Sequence, residues 1–445
     1  MSSVVRTGLF LVLTWLVSVG AIADTIEPFI GIVNRTNCGS FWRYDFNYET
    51  MDADGETPIV LSAAIFMSTP IHDKTMKAKG CGLLNHFTIT ADYQRPTNIT
   101  KPLAIEGALS STNYILIESD GFGFGIGVRH DQRYLLGRAT ARVNIDAFLA
   151  GKALMKDEGY EWEDVTINLG YSQGGHGGMW VNRLVAEGYR SSDLPKIDYC
   201  IIGGGSYDMY GHYQKLVEDN LSQYPVSLPM IIGGMISTGK YHVRNEDIFS
   251  DEVIAHLPRL LDSKEYSTNY INNFLYELFG HADDHRMPLD QLMKAAFFDE
   301  KCPVMEEVVS YLKQNSLVYE PWKPEKTDRI TFVHTREDEV VPFLNQEHMT
   351  SHLLANGYEA FDVDDSSEQK HTDTGTYYAI KAIALLGSFT PMGIERVSPE
   401  QPCDLPLDIY GLDGRLIRQH VVIDDVYQSL PKGIYVIDGQ KIVKR

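Results

Sequence analysis

Apolar runs recur along the chain at the spacing of alternating strands and helices. The pattern predicts buried strands over residues 59–67, 81–87, 114–118, 165–169, 197–202, 330–333 and 359–363. Helical periodicity follows over residues 138–156, 175–184 and 377–386. Strands that alternate with helices are typical of a mostly parallel sheet that has helices on both faces. The predicted fold class is therefore α/β, and we expect this domain to span residues 24–390.

Residues 206–325 interrupt this alternation, because they lack clear buried strands and carry helical patterns over 251–261 and 270–278. We interpret this stretch as a helical insertion that caps the sheet. Its aromatic side chains either line an apolar acyl pocket or pack within the cap, and packing is the commoner role of such residues. They include Tyr207, Tyr210, Tyr213, Phe274 and Tyr276.

Residues 1–23 have the three parts of a secretory signal peptide. Arg6 supplies the basic start, residues 9–19 are almost wholly apolar, and an Ala-Ile-Ala cleavage signal ends at Ala23. An uncleaved membrane anchor is the alternative, but the apolar run is shorter than the roughly 20 residues that a spanning helix needs. We expect the mature chain to begin near Asp24 and to work outside the cytoplasm, secreted or at the cell surface.

Composition narrows the classes of partner. The chain has 445 residues, a formal net charge of −21 and five cysteines. A charge this acidic disfavours nucleic acid and anionic membrane surfaces, because both would repel it. The cysteines form no Cys-x-x-Cys pair, so the sequence gives no zinc ribbon and no thioredoxin-type redox motif. We predict a small-molecule substrate, no nucleic-acid partner, no metal and no cofactor.

The residues Gly-Tyr-Ser-Gln-Gly at 170–174 form a G-x-S-x-G motif between a predicted strand and a predicted helix. In this context the serine occupies a sharp strand-to-helix turn, and the glycines allow the two backbones to approach closely. The hydroxyl of Ser172 then projects above the sheet, where the helix N-terminus favours an oxyanion. We predict Ser172 as a catalytic nucleophile, although a structural Gly-Ser turn is the simpler alternative.

An acid and a histidine follow the serine in the order that nucleophile-elbow enzymes use. Asp338 lies on the loop after the strand 330–333, and His371 follows the next strand. We predict Asp338 as the acid and His371 as the general base. The neighbouring Glu337 and Glu339 are the alternatives to Asp338, and as solvated charges of the loop they have a simpler role.

Other histidines near these segments have simpler roles. His176 lies one helical turn beyond the serine, which points it away from the hydroxyl and favours packing. His348 and His352 fall on a predicted helix and favour solvated or partly buried positions, and His334 is expected to orient the acid loop.

An oxyanion hole in such a site uses two backbone N–H groups. One belongs to the residue after the nucleophile, Gln173, and the other to the loop after the strand 81–87. We predict Phe87 for the second donor, with Thr88 as the alternative. The His-Gly pair that is common there is missing, because Phe87 stands where glycine is usual.

These motifs together resemble the α/β-hydrolase superfamily over residues 55–390. The GYSQGG segment, the HTREDEVVP segment at 334–342 and the late His371 match the elbow, acid loop and base. The loop SDGFGFG at 119–125 resembles the D-x-x-G-x-G loop of secretory lipase-like esterases. The resemblance implies ester hydrolysis, and it does not identify the substrate because the cap carries no motif that matches.

The C-terminal residues 391–445 carry a second resemblance. The segments DIYGLDGR at 408–415 and LPKGIYV at 430–436 are similar to type IX secretion sorting domains. Such domains are small β-sandwiches that route a protein across the outer membrane, so the resemblance implies a secretion machinery as partner. Asp-Gly pairs at 413–414 and 438–439 are typical of hairpin turns. A β-module that only packs on the enzyme, or is vestigial, is the alternative.

The sequence thus predicts a secreted serine hydrolase that cleaves carboxylic esters of small molecules, carbohydrates or lipids. A peptidase of the prolyl-oligopeptidase or proline-iminopeptidase kind is an alternative on the same fold. An acidic pair in the cap that binds a peptide amino terminus would favour the peptidase. Glu252, Asp283, Asp284 and Glu306 are available, but surface solvation explains them equally well. A hydrolase fold without activity, used for binding, stays open as a third reading.

Overall fold

The structure, a computed structural model, describes residues 29–102 and 104–388 in full. Beyond them it describes only four short strands near the C-terminus. The chain forms two compact units that divide between residues 389 and 390. The predicted signal peptide and the linker after residue 390 lie outside the described residues.

A nine-stranded sheet forms the centre of the first unit, in the order β1-β2-β3-β5-β4-β6-β7-β10-β11. The strands of this unit are β1 Gly31–Asn37, β2 Phe41–Met51, β3 Pro58–Ser68, β4 Cys81–Asn85, β5 Ile115–Ser119, β6 Thr166–Tyr171, β7 Tyr199–Gly203, β8 Leu221–Ser222, β9 Met287–Pro288, β10 Ile330–Val333 and β11 Phe361–Asp364. Strands β8 and β9 form a separate antiparallel pair. From β5 to β11 all neighbours in the large sheet are parallel, whereas β1, β2, β3 and β5 pair antiparallel. The predicted α/β class with a mostly parallel sheet is confirmed.

Helices cover both faces of this sheet and fill the long insertion. They are α1 Thr69–His72, α2 Ile105–Ser110, α3 Gly137–Asp157, α4 Gln173–Ala186, α5 Met209–Asp219, α6 Ser227–Ile236, α7 Asn245–Ile248, α8 Asp251–Ile254, α9 Thr268–Phe279, α10 Leu289–Leu292, α11 Pro303–Asn315, α12 Leu344–Ala355 and α13 His371–Ser388. Short 3-10 turns occur at Asp92–Gln94, Pro96–Asn98, Gly125–Gly127 and Ala295–Phe298, and a π-helical turn at Pro258–Asp262. Within the described residues no helix is long and apolar enough to cross a membrane.

The apolar core is divided between the two faces of the sheet. Ile117 packs with residues of α3 and α4, such as Phe148 and Trp180, in one cluster. Leu116, one residue earlier on β5, packs in another cluster that includes Tyr378 of α13. Successive side chains of a strand point to opposite faces, so a strand buried on both sides reads as a continuous apolar run. This geometry explains why the central strands were predictable.

The predicted cap is helical, because helices α5 to α11 lie between β7 and β10. It has its own apolar cluster, in which Tyr213 and Tyr276 are buried among residues such as Phe249 and Phe297. The short pair β8 and β9 lies within this stretch and is an addition to the sequence prediction.

Strand β2 was not predicted from the sequence, and its composition explains why. Arg43, Asp45 and Asn47 are polar yet buried. Arg43 Nε donates to Asp45 Oδ1 at 2.7 Å, which compensates the two charges. Such paired charges interrupt the apolar pattern by which buried strands are recognised.

The C-terminal unit contains a four-stranded antiparallel sheet in the order β13-β12-β14-β15. Its strands are β12 Leu407–Gly411, β13 Leu416–Val421, β14 Gly433–Ile437 and β15 Gln440–Lys444. The two Asp-Gly pairs that were predicted as turns lie outside the described residues. The sorting role of this unit stays a prediction.

Candidate active site

Ser172 stands alone between the end of β6 and the start of α4, in a strained backbone conformation. Its φ of 59° and ψ of −119° lie in a region that non-glycine residues rarely adopt. A Cβ on Gly170 would lie 2.2 Å from the carbonyl oxygen of Gly174, and one on Gly174 would lie 2.1 Å from that of Asn85. The turn therefore needs both glycines of the motif, which is the nucleophile-elbow geometry predicted from the sequence.

The structure brings the three predicted residues Ser172, His371 and Asp338 into one hydrogen-bonded chain. His371 Nε2 lies 2.8 Å from Ser172 Oγ, and His371 Nδ1 lies 2.7 Å from Asp338 Oδ2. A neutral imidazole that donates from Nδ1 to Asp338 leaves Nε2 to accept the hydroxyl proton of Ser172. His371 is the first residue of α13, which therefore begins six residues before the predicted residue 377.

Asp338 is held as a carboxylate by its neighbours. Its Oδ1 accepts the backbone N–H groups of Val340 and Val341, at 3.0 Å and 2.7 Å. His334 Nε2 lies 3.2 Å from Oδ2 and 2.9 Å from the carbonyl oxygen of Val341. Burial by itself would raise the pKa of Asp338, but His371 and His334 outweigh it and hold the pKa well below its usual range.

The alternatives to Asp338 have other positions. Glu337 is exposed to solvent. Glu339 Oε2 accepts the backbone N–H of His371 at 3.0 Å, so it contacts the main chain of the base instead of the imidazole. The geometry therefore favours Asp338 as the partner of the ring.

The other histidines named in the sequence analysis lie outside the lining of the cavity at Ser172, whereas His86 and His212 line it. Burial lowers the pKa of His212 to about 4. His176 is buried, its Nε2 lies 2.9 Å from the carbonyl oxygen of Asn315, and burial lowers its pKa to about 4. His348 Nδ1 lies 2.6 Å from Asp208 Oδ2, and His352 Nε2 lies 3.1 Å from the carbonyl oxygen of Trp322. These last three histidines have structural partners.

Ser172 opens into a cavity of about 370 Å³ that lies between the sheet and the cap. Apolar side chains of the cap form much of its wall. They include Met209, Tyr213, Leu228, Ile232, Phe297 and Leu312. Of the five aromatic residues that the sequence analysis names in the cap, Tyr213 lines the cavity and the other four do not. The apolar lining suits an apolar group of a substrate.

The predicted oxyanion donors share the cavity with Ser172. Gln173 is the first residue of α4, and Gln173, Phe87 and Thr88 all line the cavity. Strand β4 ends at Asn85, two residues earlier than predicted, so the loop that follows begins with His86, which also lines the cavity. The assignment of the second donor to Phe87 stays a prediction.

Two carboxyl groups of the cavity were not singled out from the sequence. Glu106 of α2 and Glu118 of β5 line the same cavity as Ser172 and are buried. Burial raises the pKa of Glu106 to about 7. Burial, followed by the negative charges of Glu106 and Asp120, raises the pKa of Glu118 well above its usual range. The available signal was an acid inside the predicted strand 114–118.

The acidic residues proposed for the cap lie elsewhere. Glu252, Asp283, Asp284 and Glu306 are all exposed, and none lines the cavity. In the described part of the chain no group of three or more His, Cys, Asp or Glu side chains is placed to hold a metal ion.

The sheet order, the serine turn after β6 and the helical insertion after β7 define the α/β-hydrolase fold. No protein-family model and no curated protein sequence matches the chain. Solved structures do match it. The rice cell wall degrading esterase LipA from Xanthomonas oryzae superposes with a TM-score of 0.63 and 18% identity, over 78% of this chain and 88% of that one.

Two further structures have the same fold. A Legionella pneumophila protein described as a hydrolase gives a TM-score of 0.67 at 19% identity, over 79% of this chain and 90% of that one. Candida antarctica lipase A gives a TM-score of 0.54 at 14% identity, over 81% of this chain and 82% of that one. At these identities the likeness establishes the fold.

Proposed function

We propose that this chain is a serine hydrolase that cleaves carboxylic esters. The observation that carries the proposal is the hydrogen-bonded chain from Ser172 through His371 to Asp338, which opens into a largely apolar cavity. The likeness of the fold to an esterase and a lipase supports the same reaction class. The cap stretch 206–325 supplies apolar lining for an acyl or alkyl group.

The reaction follows from the geometry. His371 Nε2 takes the hydroxyl proton as Ser172 Oγ attacks the ester carbonyl, and Asp338 stabilises the imidazolium that forms. The N–H groups of Gln173 and Phe87 hold the oxyanion, each contributing on the order of 3 kcal/mol to transition-state stabilisation. The imidazolium then protonates the departing alcohol oxygen. Water activated by His371 hydrolyses the acyl-enzyme and regenerates Ser172.

Hydrolysis of p-nitrophenyl esters of increasing acyl length tests this proposal. The intact protein should release p-nitrophenol, and Ser172→Ala should reduce kcat by a factor on the order of 10⁶. The preferred acyl length would measure the apolar part of the cavity. Activity that is unchanged in Ser172→Ala would refute the proposal, and inertness toward every ester would favour a binding protein.

A secreted peptidase is the second candidate, and one observation favours it. Glu106 and Glu118 place two carboxyl groups in the cavity, where they could receive the amino terminus of a peptide. Aminoacyl p-nitroanilides, including the prolyl derivative, separate the candidates. Turnover of anilides with feeble ester hydrolysis would favour the peptidase, whereas the reverse supports the esterase.

We also propose that the protein is exported, on the basis of residues 1–23 and the C-terminal segment 391–445. Both proposals rest on sequence motifs. N-terminal sequencing of the protein from the culture medium should give a chain that begins at Asp24. If the protein stays inside the cell after deletion of residues 391–445, the result would support the sorting role. Unaltered secretion would contradict it.

A further inference from the structure

Two buried acids stand in one region of the active-site cavity. Glu118 is in β5 and is 2% exposed, and Glu106 is in α2 and is 5% exposed. Both line the cavity that contains Ser172 and His371. Their carboxyl groups interact electrostatically, because the charge of Glu106 acts on Glu118.

This pair has no compensating charge in the described structure. The charges that act on Glu118 belong to Glu106 and Asp120, and both are acidic. Among the described residues, Glu118 Oε2 has no hydrogen-bond partner. The neighbouring Asp120 differs, because its carboxyl group accepts hydrogen bonds from Ser62 and Thr97.

Buried carboxyl groups without a partner are unfavourable, and folded proteins pair them with cations or hydrogen-bond donors. Two other buried acids follow that rule, because Asp338 and Asp120 both accept hydrogen bonds. Glu106 has a backbone hydrogen bond within its own residue, whereas Glu118 Oε2 has no donor among the described residues. A pair of acids that lines a cavity with one oxygen unpaired is typical of a binding site whose partner arrives with the ligand. Because two carboxyl groups lie together, a group with several donors and a positive charge fits best.

We propose that Glu106 and Glu118 form a subsite for a protonated primary amine of the substrate. This inference rests on the proposed hydrolase function, for which it names the substrate class: esters that carry an ammonium group. Two carboxyl groups can accept the three N–H donors of an alkylammonium ion in a low-dielectric cavity.

The topology sets the distance between this subsite and the reacting carbonyl. Strand β4 lies between β5 and β6, so Glu118 is two strand spacings, about 10 Å, from the strand that leads to Ser172. The ammonium group should therefore be separated from the ester carbonyl by a chain of several carbons. Leu84 and Leu109 line the cavity on this side and suit such a chain.

Binding of a cation should depend on pH in a defined direction. Burial favours the neutral form of both carboxyl groups, whereas a bound ammonium ion favours their ionised form. Binding of the ammonium ion therefore releases protons and becomes tighter as pH rises. The other titratable groups that line the cavity are the histidine at the serine, two further histidines and five tyrosines: His371, His86, His212, Tyr134, Tyr171, Tyr213, Tyr224 and Tyr378. Burial lowers the pKa of His86 and of His212, and it raises the pKa of each tyrosine, so these groups stay neutral.

Calorimetric titration with n-alkylammonium ions of four to eight carbons, and with n-alkanols of equal length, tests the proposal. The intact protein should bind the best amine roughly tenfold or more tightly than its alkanol at pH 8, and this ratio should shrink at pH 6. Glu118→Gln should bring the ratio close to one, and Glu106→Gln should reduce it.

Glu252→Gln is the matched control, because it removes the same charge from an exposed position of the cap. It should leave the ratio as in the unaltered protein. Thermal unfolding checks that each variant folds. If Glu118→Gln does not fold, Glu106→Gln provides the test. Equal or tighter binding of the alkanols, or a preference for amines that survives in both Gln variants, would overturn the proposal.

The two proposals fail separately in this design. Binding is measured without turnover, so an amine preference that depends on Glu118 stands even if no ester is hydrolysed. Ester hydrolysis without an amine preference would refute the subsite and leave the serine hydrolase intact.

Discussion

At the scale of single residues, the site combines one strained serine, one buried acid and one imidazole. The strain at Ser172 is local, because the main chain must turn sharply for its hydroxyl to reach His371. Asp338 is ionised and hydrogen-bonded at both oxygens, so it orients the imidazole of His371. Glu106 and Glu118 have the opposite environment, in which burial favours the neutral form.

Replacement of the acid tests the orientation of the imidazole. Asp338→Asn can donate to Nδ1 and so favours the wrong tautomer of His371, and we expect kcat for ester hydrolysis to fall by roughly 10⁴. Steady-state kinetics with a p-nitrophenyl ester measure this loss. Glu337→Gln is the control, since Glu337 is exposed, and a comparable loss in that variant would contradict the assignment of the acid.

The environment of Glu106 predicts a pH dependence of stability. Its pKa is raised from 4.5 to about 7, so the folded state holds a proton that the unfolded state releases, and stability should fall as pH rises from about 4.5 to 7. The shift corresponds to at most about 3 kcal/mol. Glu106→Gln should remove that loss, so denaturant unfolding at pH 5 and pH 8 should show a smaller difference than in Glu252→Gln. An equal difference in the two variants would contradict the raised pKa.

At the scale of elements, the turn between β6 and α4 depends on close backbone contact. The strands that pack on both faces were predictable because their side chains are mostly apolar, as β10 shows with the predicted bounds 330–333. The antiparallel strand β2 was not predictable, because charged residues interrupt its apolar pattern. Arg43 and Asp45 form an ion pair once the strand has folded, and the sequence pattern does not reveal that pairing. Helix α4 could be placed because its start coincides with the elbow motif.

A methyl group at Gly174 should disrupt the elbow. Its Cβ would meet the carbonyl oxygens of Asn85 and His86, so Gly174→Ala should destabilise the protein by about 1–3 kcal/mol and impair ester hydrolysis. Denaturant unfolding and kcat measure the two effects. Gly233→Ala, in α6, is the matched control because a Cβ there meets no atom within 4 Å, and it should be neutral or stabilising. Equal effects of the two substitutions would contradict the close contact at Gly174.

At the scale of the whole molecule, the site lies where parallel strands end. Ser172, Asp338 and His371 follow β6, β10 and β11, and the carboxyl ends of these parallel strands share one edge of the sheet. The order of the three residues in the sequence therefore sufficed to predict that they meet. Asp338 follows Ser172 by 166 residues, and most of these residues belong to the cap. The cap does not alter where the strands end.

The division of the chain at residue 389 predicts that the first unit folds alone. A chain of residues 24–390 should unfold at the temperature of the intact protein's main transition and keep its kcat for ester hydrolysis, because its core clusters draw on residues before 389. Differential scanning calorimetry and kinetics of the two proteins make the comparison. Aggregation or a lowered unfolding temperature of the shorter chain would show that the C-terminal unit contributes to stability.

The sequence by itself determined the α/β class, the serine turn and the three residues of the hydrogen-bonded chain. These features depend on local patterns: apolar runs, glycines at a turn, and a fixed order of loops after strands. Only the tertiary structure decided which side chains share the cavity. Glu106 and Glu118 lie on different elements, and each is an ordinary acid in the sequence. Their burial, and the absence of a partner for Glu118 Oε2 among the described residues, arise when the sheet and α2 pack together.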